Sequence, residues 1–209
     1  MSQEYERKWQ GGFPMQIQSL ENLIQYLTKA FRELQIDFFL TGSTASSFYG
    51  APRSTNDVDV VALLEEKHIT DLFRLFPSTD FYLSDIAIHQ AIRDRSQFNI
   101  LHPSSGLKID VMIPEDNEFN ASRFRRKKES VPLTEGMTAI ASEDDVILMK
   151  MKYYSEGGSD KHLADIAGII AFSGDNIDLE YLNYWADRLG VNDIWKKIKN
   201  KSGLTKKDE

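Results

Sequence analysis

Apolar residues recur at three- and four-residue steps through Ile17, Leu20, Leu23, Ile24, Leu27, Phe31 and Leu34, one stripe that predicts a helix over about 17–34. Ile36–Thr41 then reads as a short strand broken at Gly42, and Thr44–Tyr49 as a short helix closed by Gly50 and Pro52. The valine-rich stretch Asp57–Leu63 predicts the next strand, and Glu66–Phe76 a helix with Leu72, Phe73 and Phe76 facing inward. A further short helix is expected over Ala87–Arg95. Gln97–Leu101 and Leu107–Ile113 flank the turn-forming run His102-Pro-Ser-Ser-Gly106, which predicts a hairpin. From Ser142 the period becomes helical: a serine cap followed by acids, then Val146, Met149 and Tyr153, then Leu163, Ile166, Ile169 and Ile170. Leu179–Leu189 and Val191–Ile198 complete a helical C-terminal part.

These elements predict an α/β (α+β) fold, a mixed sheet flanked by helices with a helical region after it. The expected organisation is a polar N-terminal segment (1–15), a core (16–115), a basic connector (116–140), a helical region (141–200) and a flexible tail (201–209). Composition narrows the class. The chain has 209 residues, 41% of them hydrophobic, enough for one sizeable core. No apolar run reaches the roughly 18–20 residues of a membrane span, and Met1–Gln10 is polar, so a soluble cytoplasmic protein is expected. With no cysteine, a disulfide framework, a thiolate zinc site and cysteine nucleophilic catalysis are excluded. The net charge of −7 argues against nonspecific nucleic-acid coating, although basic clusters stand at Arg123–Lys128 and Lys196–Lys207.

Candidate chemistry lies in the strands. Residues two apart on a strand share a face, so Asp57 and Asp59 project together while Val58 and Val60 point the other way. In the second hairpin strand Leu107, Ile109, Val111 and Ile113 form the buried face, which leaves Lys108 and Asp110 on the other. If the two strands are neighbours, three carboxylates converge. Such a cluster is costly without a cation, and hard oxygen ligands suit Mg²⁺ or Mn²⁺. Upstream, Gly42 and Ser43 mark a strand-to-helix junction, the kind of turn that aims backbone N–H groups at phosphate. A phosphate-facing turn beside metal-binding carboxylates is what phosphoryl transfer requires.

At these residues the sequence resembles the DNA polymerase β-like nucleotidyltransferase superfamily. The stretch from Leu40 to Val61 carries its Gly-Ser turn and the Asp57-x-Asp59 pair, and Asp110 supplies the third carboxylate between apolar neighbours. The wording Arg53-x-Thr55-x-Asp57-x-Asp59, the segment Ser142–Lys150 and the later Lys161–Ile166 are similar to the minimal, AbiEii-like nucleotidyltransferases of the abortive-infection toxin type. His162 departs from that pattern, standing where an Asp often follows the lysine. The resemblance implies transfer of a nucleoside monophosphate from an NTP to a hydroxyl with release of pyrophosphate. It also implies metal ligation by Asp57, Asp59 and Asp110, a triphosphate contact for Ser43 at the Gly42 turn, and nucleotide contacts for Arg53 and Lys150. The acceptor reads as an RNA, such as a tRNA end, or as a small molecule, and a toxin would bring an antitoxin partner. The alternative is a non-catalytic module that binds a nucleotide or a partner on the same fold.

Charged and aromatic residues outside this set have plainer readings. The run Arg123, Arg125, Arg126, Lys127, Lys128 reads either as a guide for an RNA backbone or as a solvated connector. Lys108 reads as a phosphate neutraliser or as a solvated lysine beside an acid. Tyr153, Tyr154, Tyr181 and Trp185 read as core or interface residues rather than as stacking platforms.

Overall fold

The computed structural model describes residues 16–50 and 55–204. Helix α1 (Leu20–Glu33) starts at Ser19, whose hydroxyl accepts from the Asn22 N–H, and buries Leu23, Ile24, Leu27, Ala30 and Phe31, the expected stripe. Strand β1 (Phe38–Leu40), helix α2 (Gly42–Phe48) and strand β2 (Asp57–Ala62) follow. The helix expected over Glu66–Phe76 opens instead as a 3₁₀ turn, Glu66–His68, before α3 (Ile69–Leu75). The reason is local: His68 Nδ1 reaches back 3.0 Å to accept the Glu65 N–H, closing a tight first turn. Helix α4 (Asp85–Asp94) leads to the hairpin β3 (Gln97–His102) and β4 (Leu107–Met112), as expected.

The sheet has six strands in the order β3-β4-β2-β1-β6-β5, where β5 is Lys128–Pro132 and β6 is Met137–Ile140. It is mixed: β2 runs parallel to β4, β1 parallel to β6, and the other three pairings are antiparallel. Segment 116–140, expected as a connector, is therefore structured. Helix α5 (Glu118–Arg126) is capped by Asn117, and the β5–β6 hairpin extends the sheet beyond β1. Charges obscured this in the sequence, because four of the five basic residues between Arg123 and Lys128 turn inward or pair across elements.

One sheet face meets α1, where the Phe31 and Phe38 rings pack edge to face at 5.4 Å, and the Tyr26 ring reaches Phe76 and Phe81. On the other face Phe39 packs against Phe124 of α5, and Tyr153 of α6 (Glu143–Gly157) reaches Met112. The C-terminal region adds α7 (Lys161–Ser173), α8 (Leu179–Arg188) and α9 (Asn192–Ser202), packed around α6. Ser142 caps α6 as expected, accepting from the Asp145 N–H at 3.2 Å. Among the described residues no helix is long and apolar enough to cross a membrane. Residues 1–15 and 205–209, assigned to the N-terminal segment and the tail, lie outside the described residues.

Candidate active site

The parallel register of β2 on β4 sets Asp57 beside Lys108, Asp59 beside Asp110 and Val61 beside Met112. Strand β3 adds Leu101, Asn99 and Gln97 at the same three levels. Since register partners share a face, these nine side chains form a grid of three rows. The middle row, Asp59, Asp110 and Asn99, is polar throughout. Val58, Val60, Ile109 and Val111 face the other way, and each is fully buried. Apolar burial on one face therefore holds the carboxylates on the other.

Three donors already serve this face. The Ser43 N–H donates to Asp59 Oδ2 at 3.0 Å. Asn99, its carboxamide nitrogen turned toward β4, donates to Asp110 Oδ1 at 2.8 Å. The Lys108 ammonium lies 3.0 Å from Asp110 Oδ2 and 3.7 Å from Asp57 Oδ1. These contacts, foremost the bond to Asp110, raise the Lys108 pKa above its ordinary value. Asp59 is pushed up chiefly by burial; the Ser43 N–H opposes that shift, Asp110 and Asp57 add to it, and Lys150 offsets part of it.

Gly42 is required where it stands. Its φ of +58° lies in the left-handed region, and a Cβ there would fall 2.1 Å from Asp59 Oδ2. The turn expected to face phosphate thus lies against the second carboxylate. Behind it the Thr44 and Ser47 hydroxyls of α2 are buried with no hydrogen-bond partner among the described residues.

Lys150, expected as a nucleotide contact, is buried in the helical region. It is 3% exposed, and its ammonium lies 2.5 Å from Asp165 Oδ2, a buried pair that joins α6 to α7. The two C-terminal segments singled out in the sequence therefore meet through one ion pair whose cation acts on Asp59. Arg53 lies outside the described residues. Asn99 carried no signal of its own, being one polar residue on a strand; Asp165 lay in a segment that the resemblance marked, but its pairing with Lys150 exists only once two helices dock.

The basic run does not form an open surface for RNA. Arg123 is 5% exposed, stacked 5.0 Å over the Phe39 ring and donating to Asn120 Oδ1. Arg126 pairs with Asp144 and Asp178, Lys127 with Asp37, and Lys128 with Glu143. Only Arg125 of the five stays exposed without such a pairing among the described residues.

Asp57, Asp59 and Asp110 offer oxygen donors alone, the chemistry that a hard divalent cation prefers. As they stand, no group of three carboxylate or histidine side chains among the described residues encloses a single point. The cation among them is the Lys108 ammonium. The donor set therefore suits Mg²⁺ or Mn²⁺ in kind, and in its present arrangement each carboxylate also has a partner within the protein.

The fold so built is the nucleotidyltransferase fold. It is shared with a crystal structure of an antigenic nucleotidyltransferase-like protein from Paracoccidioides brasiliensis, 18% identical, at a TM-score of 0.50 over 90% of this chain and 95% of that one. It is shared too with the antibiotic-resistance factor ANT(2'')-Ia. The crystal structure of that protein with adenylyl-2''-tobramycin is 12% identical, with a TM-score of 0.54 over 81% of this chain and 96% of that one. Its solution structure, also 12% identical, gives 0.53 over 85% and 96%. No family model matches the chain, and no curated protein matches it in sequence.

Proposed function

We propose that the chain is a metal-dependent nucleotidyltransferase that moves a nucleoside monophosphate from an NTP to a hydroxyl of a small-molecule acceptor. The observation that carries this reading is the side-by-side register of Asp59 and Asp110 against the Gly42–Ser43 turn. Asp57, Asp59 and Asp110 would hold Mg²⁺ or Mn²⁺, which when bound neutralises charge on the transferring phosphoryl group. Asp110 would accept the proton of the attacking hydroxyl as its oxygen bonds to the α-phosphorus and pyrophosphate leaves. The turn at Gly42 and Ser43 holds the triphosphate, with Arg53 as a further contact, and Lys150 holds positive charge behind Asp59.

The acceptor reading rests on the next row of the grid. Beyond Asp59 and Asp110 the same face continues into Val61, Met112 and Gln97, which line a cleft of about 540 Å³ with Met149, Tyr153 and Arg123. That volume suits a drug-sized molecule rather than a polymer. The complex of ANT(2'')-Ia with adenylyl-2''-tobramycin is a case of this fold beside a modified small molecule. The toxin-like resemblance would instead bring an RNA acceptor and an antitoxin partner. An RNA acceptor needs a basic surface, and four of the five basic residues at 123–128 are spent on contacts within the protein.

Incubation with Mg²⁺, each α-labelled NTP in turn, and either a panel of hydroxylated small molecules or total RNA tests this reading. Label is expected on a small molecule with wild type, and its transfer is expected to fall by roughly 10²–10³-fold in Asp59→Asn and Asp110→Asn. Label on RNA would overturn the acceptor assignment. Nucleotide binding without transfer to any acceptor would favour the binding-module reading.

A further inference from the structure

Groups of the protein itself already contact all three carboxylates of this face. Asp110 gives one oxygen to Asn99 and the other to Lys108, Asp59 takes the Ser43 N–H, and Asp57 leans on the same ammonium. Among the described residues Lys108 has its ion-pair partners only in these carboxylates, and its backbone is pinned by register with Asp57 and by a 3.1 Å N–H bond to Asn56 O. Its side chain is about 29% exposed, so four rotatable bonds let the ammonium leave toward solvent while the strand stays in place.

We propose that Lys108 is an internal counter-cation that holds the carboxylate face in the metal-free protein and competes with the divalent ion for it. Metal then binds only as the ammonium leaves its place between Asp57 and Asp110. An ammonium has no free lone pair and cannot ligate a metal, and two cations a few ångströms apart repel. The protein consequently binds metal with an affinity reduced by the fraction of molecules in which Lys108 is seated. Seated, Lys108 relieves the mutual repulsion of the carboxylates, so the metal-free fold gains stability at the expense of metal affinity. The proposal rests on the reading that this face holds a divalent cation.

Mn²⁺ binding to the full chain, followed by electron paramagnetic resonance and by calorimetry with neither nucleotide nor acceptor present, tests it apart from transfer activity. Lys108→Met removes the charge and keeps the length; it is expected to bind Mn²⁺ about tenfold more tightly than wild type. In chelator its thermal midpoint is expected to fall below that of wild type, and Mn²⁺ is expected to raise it by more. Lys108→Arg keeps a cation and is expected to stay within about threefold of wild type, which separates charge from packing. Asp59→Asn combined with Asp110→Asn is expected to abolish the tight site in the Lys108→Met background. Mn²⁺ affinity in Lys108→Met equal to or weaker than wild type overturns the proposal, whether or not the chain transfers nucleotide. Tighter binding that survives loss of both carboxylates overturns it as well, by placing the ion elsewhere.

Discussion

Two clusters of charge, one on the sheet and one between helices, use the same residue types to opposite ends. On the sheet, Asp57, Asp59, Asp110 and Lys108 stand on rigid strands at a partly open face, held by register. Between the helices, Arg126 reaches Asp144 while the Asp145 carboxylate takes the Ser142 hydroxyl at 2.7 Å and the Tyr181 hydroxyl at 2.7 Å, all in the junction of α5, α6 and α8. Asp145 is fully buried, and the Arg126 guanidinium also stacks 3.9 Å over the Tyr181 ring. The first cluster keeps acids together at some cost and leaves them reachable. The second dissolves its acids into a network and closes off solvent. Reachability, rather than charge, is what separates a candidate reaction centre from a structural joint.

The sharpest way to break this contrast is to remove one cation from the joint. Arg126→Met leaves the buried Asp144 without its cation, with the Asp178 N–H as its remaining donor, and is expected to cost about 3 kcal/mol of unfolding free energy by urea titration. Asp110→Asn, by contrast, is expected to leave the metal-free unfolding midpoint within about 0.5 kcal/mol of wild type, since it relieves repulsion as it removes a contact. A loss in Asp110→Asn as large as that in Arg126→Met would make the sheet cluster structural too.

Gly42→Ala tests how tightly the sheet site is built. The left-handed backbone disfavours a side chain by about 1–2 kcal/mol, and the added methyl must push Asp59 aside. Stability is expected to fall by that amount, and nucleotide-dependent transfer is expected to fall further than stability explains. Equal losses in the two would detach the turn from the chemistry.

A titration probes the joint from its acidic side. Burial, the largest influence, holds the Asp144 carboxyl up at about 6 in the folded chain, above its ordinary value. The folded state therefore binds that proton more tightly than the unfolded one. The associated stability is fully present below about pH 4 and is lost as pH rises through about 6. Subtracting the stability of Asp144→Asn from that of wild type across pH 4 to 8 is expected to leave a downward step in this window. A flat difference would show that Arg126 holds the carboxylate ionised throughout.

The two clusters also differed in how much of them the sequence disclosed. Strand alternation carries its own address: Asp57, Asp59 and Asp110 follow from a period of two and from apolar neighbours, and only their register required the fold. The joint follows a period of three to four in α5, where Phe119, Ser122, Arg123 and Arg126 share one face. Read as a run, those charges suggest a solvated or RNA-facing connector. Read as a helix face, they call for buried partners, and Asp144 and Asp145 at the cap of α6 were available to supply them. Lys150 showed the same limit, since its ion pair exists only when α6 and α7 dock. The β5–β6 hairpin was hidden for another reason: β5 is largely polar, β6 is only four residues long, and the sheet itself makes them strands.

That late hairpin governs how the protein can be made. Strand β1 is bonded to β2, some twenty residues on, and to β6, whose Ile140 pairs with Leu40 and whose following residue, Ala141, donates to the Leu40 carbonyl at 2.8 Å. On a translating ribosome the carboxylates, their neighbours and the turn emerge first. They form a sheet whose β1 edge stays bare until β6, which begins 25 residues after the end of β4, has followed. Bare edges recruit other strands. A chain stalled or cut near residue 115 would carry every oxygen donor of the site and still be a hazard to itself, and fragments ending there should accumulate as aggregates rather than as a small working domain.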